Sequence, residues 1–176
     1  MTRNTTKIMS IGCILLVFLS ICAFSLLPQP VRATITIPVG SGPAGVAIMP
    51  NGAYAYVTNR AGNSVSVIST DTNAVTTTIP VGSLPVGVAL APNGMFGYVT
   101  NYGGNSVSVI NTATNTLTAS IPVGIGPEGV AVEPNGAYTY ITNYNGNSVS
   151  VISTATNTVT ATITVGTWPY GCGYNA

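Results

Sequence analysis
Ile37-Pro38-Val39-Gly40 returns as Ile79-Pro80-Val81-Gly82, as Ile121-Pro122-Val123-Gly124 and, with one change, as Ile163-Thr164-Val165-Gly166, each copy 42 residues after the last. The register persists between these signatures. Pro50-Asn51-Gly52 matches Pro92-Asn93-Gly94 and Pro134-Asn135-Gly136, and Tyr56-Val57-Thr58-Asn59 matches Tyr98-Val99-Thr100-Asn101 and Tyr140-Ile141-Thr142-Asn143. Asn63-Ser64-Val65-Ser66-Val67-Ile68 recurs from Asn105 and again from Asn147. Roughly three quarters of the positions from Ile37 to Thr78 are identical from Ile121 to Thr162, which composition alone does not produce. The chain is a tandem repeat whose copies fold alike. A period near forty residues, rich in Val, Ile, Thr and Tyr and punctuated by Pro, Gly and Asn, implies one four-stranded β unit per copy.

In the first copy, Gly45-Val46-Ala47-Ile48 is a run of small and β-branched residues suited to a crowded inner position. Pro50-Asn51-Gly52 turns the chain, because Asn and Gly tolerate positive φ. Ala53 to Asn59 sets Tyr54, Tyr56 and Thr58 on one side and Ala55 and Val57 on the other; Ser64 to Ser69 alternates small polar with β-branched residues, the period of two that marks strands. Thr70 to Asn73 turns again, and Val75 to Val81 is the outermost strand, where the missing donor of Pro80 is tolerable at an edge. Four strands in a meander with no helical period describe an all-β fold, a β-propeller built from four-stranded blades. An extended β-solenoid is the alternative, but such coils usually repeat at shorter periods.

Blades are expected at about 44–81, 86–123 and 128–165, inside a partial propeller spanning 34–176. A propeller closes with roughly four to eight blades, so the expectation is three complete blades as an open arc, a partial or truncated propeller. Thr34 to Val39 matches an outermost strand and Pro169 to Tyr174 an innermost one, leaving an orphan strand at each end. Two copies meeting head to tail would join first and fourth strands with no second and third between them, so simple dimerisation does not mend the ring. Open end faces exposing Val, Ile and Tyr predict self-association.

Seven of the 176 residues are charged, four basic and three acidic, and there is no histidine. Arg3 and Lys7 precede an apolar run from Ile8 to Leu27, and Val31-Arg32-Ala33 has the small residues that a signal peptidase reads. Residues 1–33 are therefore expected to be a signal peptide, with an uncleaved membrane anchor as the alternative, and the repeats are expected to be extracellular or at the cell surface. Removal of that segment would leave Cys172 as the one thiol, so no internal disulfide is possible. It would also leave Arg60, Asp71, Glu128 and Glu133 as the remaining charges. One basic side chain gives no footprint for nucleic acid or anionic lipid, and membrane contact is expected only through the N-terminal segment.

The residues resemble the YVTN-type β-propeller repeat proteins of archaeal and bacterial cell surfaces and surface layers. The namesake tetrapeptide stands at Tyr56 to Asn59 and Tyr98 to Asn101, and as Tyr-Ile-Thr-Asn at Tyr140 to Asn143. The resemblance covers Ile37 to about Gly166. It implies an exported seven-bladed propeller acting in surface structure or binding, and little about a reaction.

The copies disagree mainly in two sets of loops that open on one face of a propeller. The loop between second and third strands begins Arg60-Ala61, Tyr102-Gly103 and Tyr144-Asn145; the blade-linking loop reads Ser41-Gly42, Ser83-Leu84, Ile125-Gly126 and Thr167-Trp168. Just beyond it, Ala44, Val86, Glu128 and Tyr170 share one position of the repeat. Loops on a rigid scaffold carry binding chemistry, which makes Arg60, Tyr102, Tyr144, Glu128, Trp168 and Tyr170 the candidate binding face, with aromatics available to stack on flat partners or sugar rings. The bland reading is drift in exposed loops.

Acid-base catalysis wants a His or two neighbouring carboxylates, and three acids scattered over the blades do not supply them. No cluster of ligands suggests a metal, and no glycine loop before a helix suggests a phosphate site. No catalytic, cofactor-binding or metal residues are therefore assigned, and no cofactor is expected. The recurring Asn, Ser and Thr are read as turn formers and strand-edge hydroxyls. The expected function is an exported surface binding or structural module, not an enzyme, whose partners are other surface proteins or polysaccharide. The alternative is a fragment of a larger lactonase-like or redox propeller enzyme with its active residues in other blades.

Overall fold
The computed structural model describes residues 35–171. The described residues from 37 onward belong to one compact unit. The expected export segment and Cys172 lie outside the described residues.

The first sheet contains β1 (Pro43–Ile48), β2 (Tyr54–Asn59), β3 (Ser64–Ser69) and β4 (Ala74–Pro80); the second β5 (Pro85–Leu90), β6 (Phe96–Asn101), β7 (Ser106–Asn111) and β8 (Thr116–Pro122); the third β9 (Pro127–Val132), β10 (Tyr138–Asn143), β11 (Ser148–Ser153) and β12 (Thr158–Thr164). Each sheet is an antiparallel meander in chain order, so each is one complete propeller blade. The Pro-Asn-Gly turns work as read: Gly52, Gly94 and Gly136 take φ of 73°, 71° and 74°, and Asn51 Oδ1 accepts from the amide of Ala53 at 3.0 Å. Residues 35–39 and 169–171 form no strand, although orphan strands were expected there. An outermost strand pairs with the third strand of its own blade, and no such strand lies beside 35–39 among the described residues.

Blades stack through apolar side chains on the faces between them. Tyr56, Val65, Val67 and Ile79 of the first blade meet Val99 and Ile110 of the second. Tyr98, Val107, Val109 and Ile121 of the second meet Val130, Ile141 and Ile152 of the third. The repeat supplies an internal control on what a neighbour covers: Ile79 and Ile121 are 3% and 4% exposed, whereas the equivalent Ile163 is 48% exposed. At the other end, Val46 is 66% exposed and its equivalent Val130 7%. One face of the first blade and one of the third thus have no neighbouring blade among the described residues. Ile121→Ala is expected to lower unfolding free energy by about 3 kcal/mol, and Ile163→Ala by less than about 1 kcal/mol. Urea denaturation of the two variants checks this, and equal losses would contradict the packing.

The Tyr-Val-Thr-Asn tetrapeptide has a mechanical role at the joint between blades. A register shift between Pro43 and Val46 takes the amide of Gly45 out of the β1–β2 ladder, and Thr58 Oγ1 accepts it at 2.7 Å. The same hydroxyl donates to the carbonyl of Val86 in the next blade at 2.7 Å. Thr100 repeats the arrangement, accepting from Gly87 at 2.8 Å and donating to Glu128 O at 2.7 Å. In the third blade Thr142 accepts from Gly129 at 2.9 Å. Asn59, Asn101 and Asn143 are wholly buried, each donating Nδ2 to two serines of the third strand at 2.9–3.0 Å. The reading of these Thr and Asn residues as turn formers and edge hydroxyls is therefore corrected: they bond blade to blade and strand to strand inside the core.

Candidate functional site
Two loops of each blade are tied together on one face. The amides of Arg60, Tyr102 and Tyr144 donate to the carbonyls of Gly42, Leu84 and Gly126 at 2.7, 3.0 and 2.9 Å. Asn63, Asn105 and Asn147, held at φ of 47–48°, accept through Oδ1 from the amides of Leu84, Gly126 and Trp168, each at 2.9 Å. Asn is the non-glycine residue that tolerates this conformation best, which explains why it recurs there. The three residues that open the second-to-third-strand loops consequently stand at equal stations on successive blades.

From those stations the side chains reach one another. The Arg60 guanidinium lies over the Tyr102 ring, 5.5 Å from its centroid, a cation–π contact. The Tyr102 hydroxyl accepts from Asn145 Nδ2 at 3.0 Å. Tyr144 stacks with Trp168 at 6.4 Å and 16°, and meets Tyr170 edge-on at 6.3 Å and 80°.

Beside this row, the innermost strands converge on an open groove of about 250 Å³. Ala44, Val86, Glu128 and Tyr170, the four occupants of one repeat position, all line it, together with Gly45, Gly87 and Gly129. The glycines let the strands approach: a Cβ on Gly45 would lie 2.4 Å from Val86 O, and one on Gly87 2.4 Å from Glu128 O. Glu128 brings the one carboxylate into the groove lining. Desolvation pushes its pKa above the ordinary carboxylate value, with the positive charge of Arg60 pulling the other way. A second, more apolar pocket of about 440 Å³ lies between Gly42, Pro43, Ala44, Arg60, Ala61 and Leu84.

All six sequence-selected residues therefore fall in this region, Arg60 and Tyr102 in one contact, Tyr144, Trp168 and Tyr170 in another, and Glu128 in the groove that Tyr170 also lines. Glu133 is engaged elsewhere, accepting from the Tyr140 hydroxyl at 2.9 Å, and that bond raises the Tyr140 pKa. Among the described residues no three His, Cys, Asp or Glu side chains are grouped to hold a metal. The inter-strand glycines of the groove were missed by sequence reasoning. Their identity in every copy beside the variable position 44, 86, 128 and 170 was the available signal.

The family model for lactonases with a seven-bladed β-propeller matches residues 20–170. The chain belongs to this lactonase family. Comparison with curated proteins finds no match. Among solved structures, this family member is similar to Kuenenia stuttgartiensis hydrazine synthase, with 27% identity, a TM-score of 0.73 and coverage of 81% of this chain and 42% of that one. It is also similar to a functionally unknown protein of Desulfotomaculum acetoxidans DSM 771, with 22% identity, a TM-score of 0.70 and coverage of 84% and 50%. A Bacteroides fragilis protein provisionally named a 6-phosphogluconolactonase shares 22% identity, with a TM-score of 0.67 and coverage of 78% and 43%. The last two likenesses show the fold alone, and the chain spans half or less of each of these proteins.

Membership in the lactonase family overturns the expectation that the chain is not an enzyme, since the family is one of enzymes. That expectation came from counting acids and histidines, which tests only for a site complete within this chain. The family's propellers have seven blades, and three are described here.

Proposed function
We propose that this chain is a lactonase-like propeller segment whose innermost strands form part of a channel in which a cyclic ester is opened by water. The observation that carries the reading is the single carboxylate, Glu128, placed in the groove where innermost strands from all three blades converge. Family membership supplies the reaction class. In the proposed step Glu128 takes a proton from water as the oxygen bonds to the lactone carbonyl carbon. The ring C–O bond then breaks, and the proton passes to the departing alkoxide. The full channel includes further blades of the seven-bladed ring.

A groove carboxylate desolvated in this way is a better base than an ordinary surface Glu, because its pKa lies nearer the working pH. The base is active when deprotonated, so kcat/KM is expected to fall on acidification with an apparent pKa above that of an unperturbed glutamate. Glu128→Gln is expected to lower kcat/KM for lactone hydrolysis by about 100-fold, and Glu133→Gln to leave it unchanged. A pH-stat assay over a panel of five- and six-membered lactones checks both; equal activity of Glu128→Gln and the parent chain would refute the assignment.

The setting we propose for this activity is the cell surface. Supporting it are the apolar segment from Ile8 to Leu27 and the likeness of the repeats to YVTN-type surface proteins. Partners in that setting are other surface proteins, polysaccharide, or a further copy of the chain against the exposed end blades.

A further inference from the structure
We propose that Tyr144, Trp168 and Tyr170 form a binding subsite for a neutral saccharide ring at the edge of the Glu128 groove. Positions 42, 84, 126 and 168 are equivalent, and all four have positive φ: Gly42 66°, Leu84 50°, Gly126 65° and Trp168 54°. Glycine occupies this region without penalty, while a residue with a Cβ is strained there. Placing tryptophan at a station that two of the other three copies fill with glycine is unfavourable to folding. So is leaving it 67% exposed, beside Tyr170 at 76%. Leu84 and Trp168 both place a Cβ at this station, but Leu84 is 37% exposed and Trp168 67%, and a strained, exposed large aromatic ring points to a binding role.

The Trp168 amide is pinned by Asn147 Oδ1 at 2.9 Å, so the strained backbone is held in place. Its ring lies near-parallel to Tyr144 at 16°, and Tyr170 stands across Tyr144 at 80°. The cluster presents flat aromatic surface with an upright wall, and Tyr170 continues into the groove lining. A pyranose ring offers C–H faces to such surface and hydroxyls to its rim.

The charges around the cluster select among ring ligands. Arg60 is occupied over Tyr102, and the charge that shares the groove lining with Tyr170 is the carboxylate of Glu128, so the cluster has no free cation to hold a phosphate or carboxylate. Its polar neighbours are amides and hydroxyls, Asn145 bonded to Tyr102 Oη and the exposed Thr167, which suit a ligand rich in neutral hydroxyls. The inference does not rest on the ester-opening reaction, because it concerns binding at side chains other than Glu128.

Trp168 is the one tryptophan in the chain, so its fluorescence reports on this cluster alone. Titration of the full chain with cellotetraose and maltotetraose is expected to change its emission saturably for at least one of them. Calorimetry with that saccharide is expected to show about tenfold or greater loss of affinity in Trp168→Gly and in Tyr144→Ala. Trp168→Gly restores the residue of the first and third copies, so its folding, checked by circular dichroism and urea midpoint, is expected to equal or exceed the parent's. Unchanged emission with both saccharides at millimolar concentration would overturn the proposal. So would parental affinity in a folded Trp168→Gly, or a response to 2-naphthol without one to either saccharide. Loss of lactone hydrolysis in Glu128→Gln with saccharide binding intact is expected, which separates the two sites.

Discussion

Gly87→Ala is expected to be the most damaging single-methyl change in the chain, lowering unfolding free energy by about 4 kcal/mol. The added Cβ would sit 2.4 Å from Glu128 O and 3.0 Å from Thr100 Oγ1. Both atoms are fixed, the first because it is backbone and the second because it is the hydroxyl bonded to that same carbonyl at 2.7 Å. Relief requires the second and third blades to move apart, which opens the core around Ile121, Val130 and Ile141. Glycine is thus required at this position for close approach and not for positive φ. Gly166→Ala is the control for a glycine with open space around it, since its Cβ would meet nothing within 4 Å, and its urea midpoint is expected to stay with the parent's. A Gly87→Ala midpoint equal to the parent's would mean that the blades are not joined as described.

The second large effect is expected at Thr100→Val, which keeps the shape of the side chain and removes its hydroxyl. Thr100 is fully buried. Without Oγ1, the amide of Gly87 loses its acceptor and the carbonyl of Glu128 loses its donor. Two buried backbone groups left unsatisfied are worth about 3 kcal/mol together. Thr142→Val removes only the bond from Gly129, so about half that loss is expected. The difference between these two isosteric changes, read from chemical denaturation, isolates the bond that crosses from blade to blade. Equal losses at the two positions would rule out the crossing bond as the source. Because Glu128 O is the acceptor, Thr100→Val is also expected to disturb the placement of the Glu128 side chain and to raise KM in the lactone assay.

Much of this architecture was legible in the residues. Pro-Asn-Gly located the tight hairpins, the alternation of Tyr56, Thr58 and Val57 gave β2, and the 42-residue recurrence gave the number of blades. What could not be read was depth. Thr58 and Asn59 look like surface residues by type, and only the stacked blades reveal that both are wholly buried. The β1–β2 register shift that calls for a threonine hydroxyl is likewise invisible in a string of Pro-Ala-Gly-Val. The candidate face was found by comparing copies, because loop residues vary where the scaffold does not depend on them. The catalytic relationship was not found that way. Glu128 is one of three scattered acids in the sequence, and its environment is set by strands from three blades that converge only after folding.

The threonine joint has a further consequence, concerning polarity. At each junction the earlier blade contributes the hydroxyl and the later one the carbonyl, as Thr58 does to Val86 and Thr100 to Glu128. The two sides of a blade are therefore unlike, one offering hydrogen-bond donors and the other acceptors. Any molecule that extends this stack by the same chemistry must arrive in a single orientation, presenting its carbonyl edge to Thr142. A back-to-back pair built on either side would set like with like, so growth here is a vector and closure can only be cyclic.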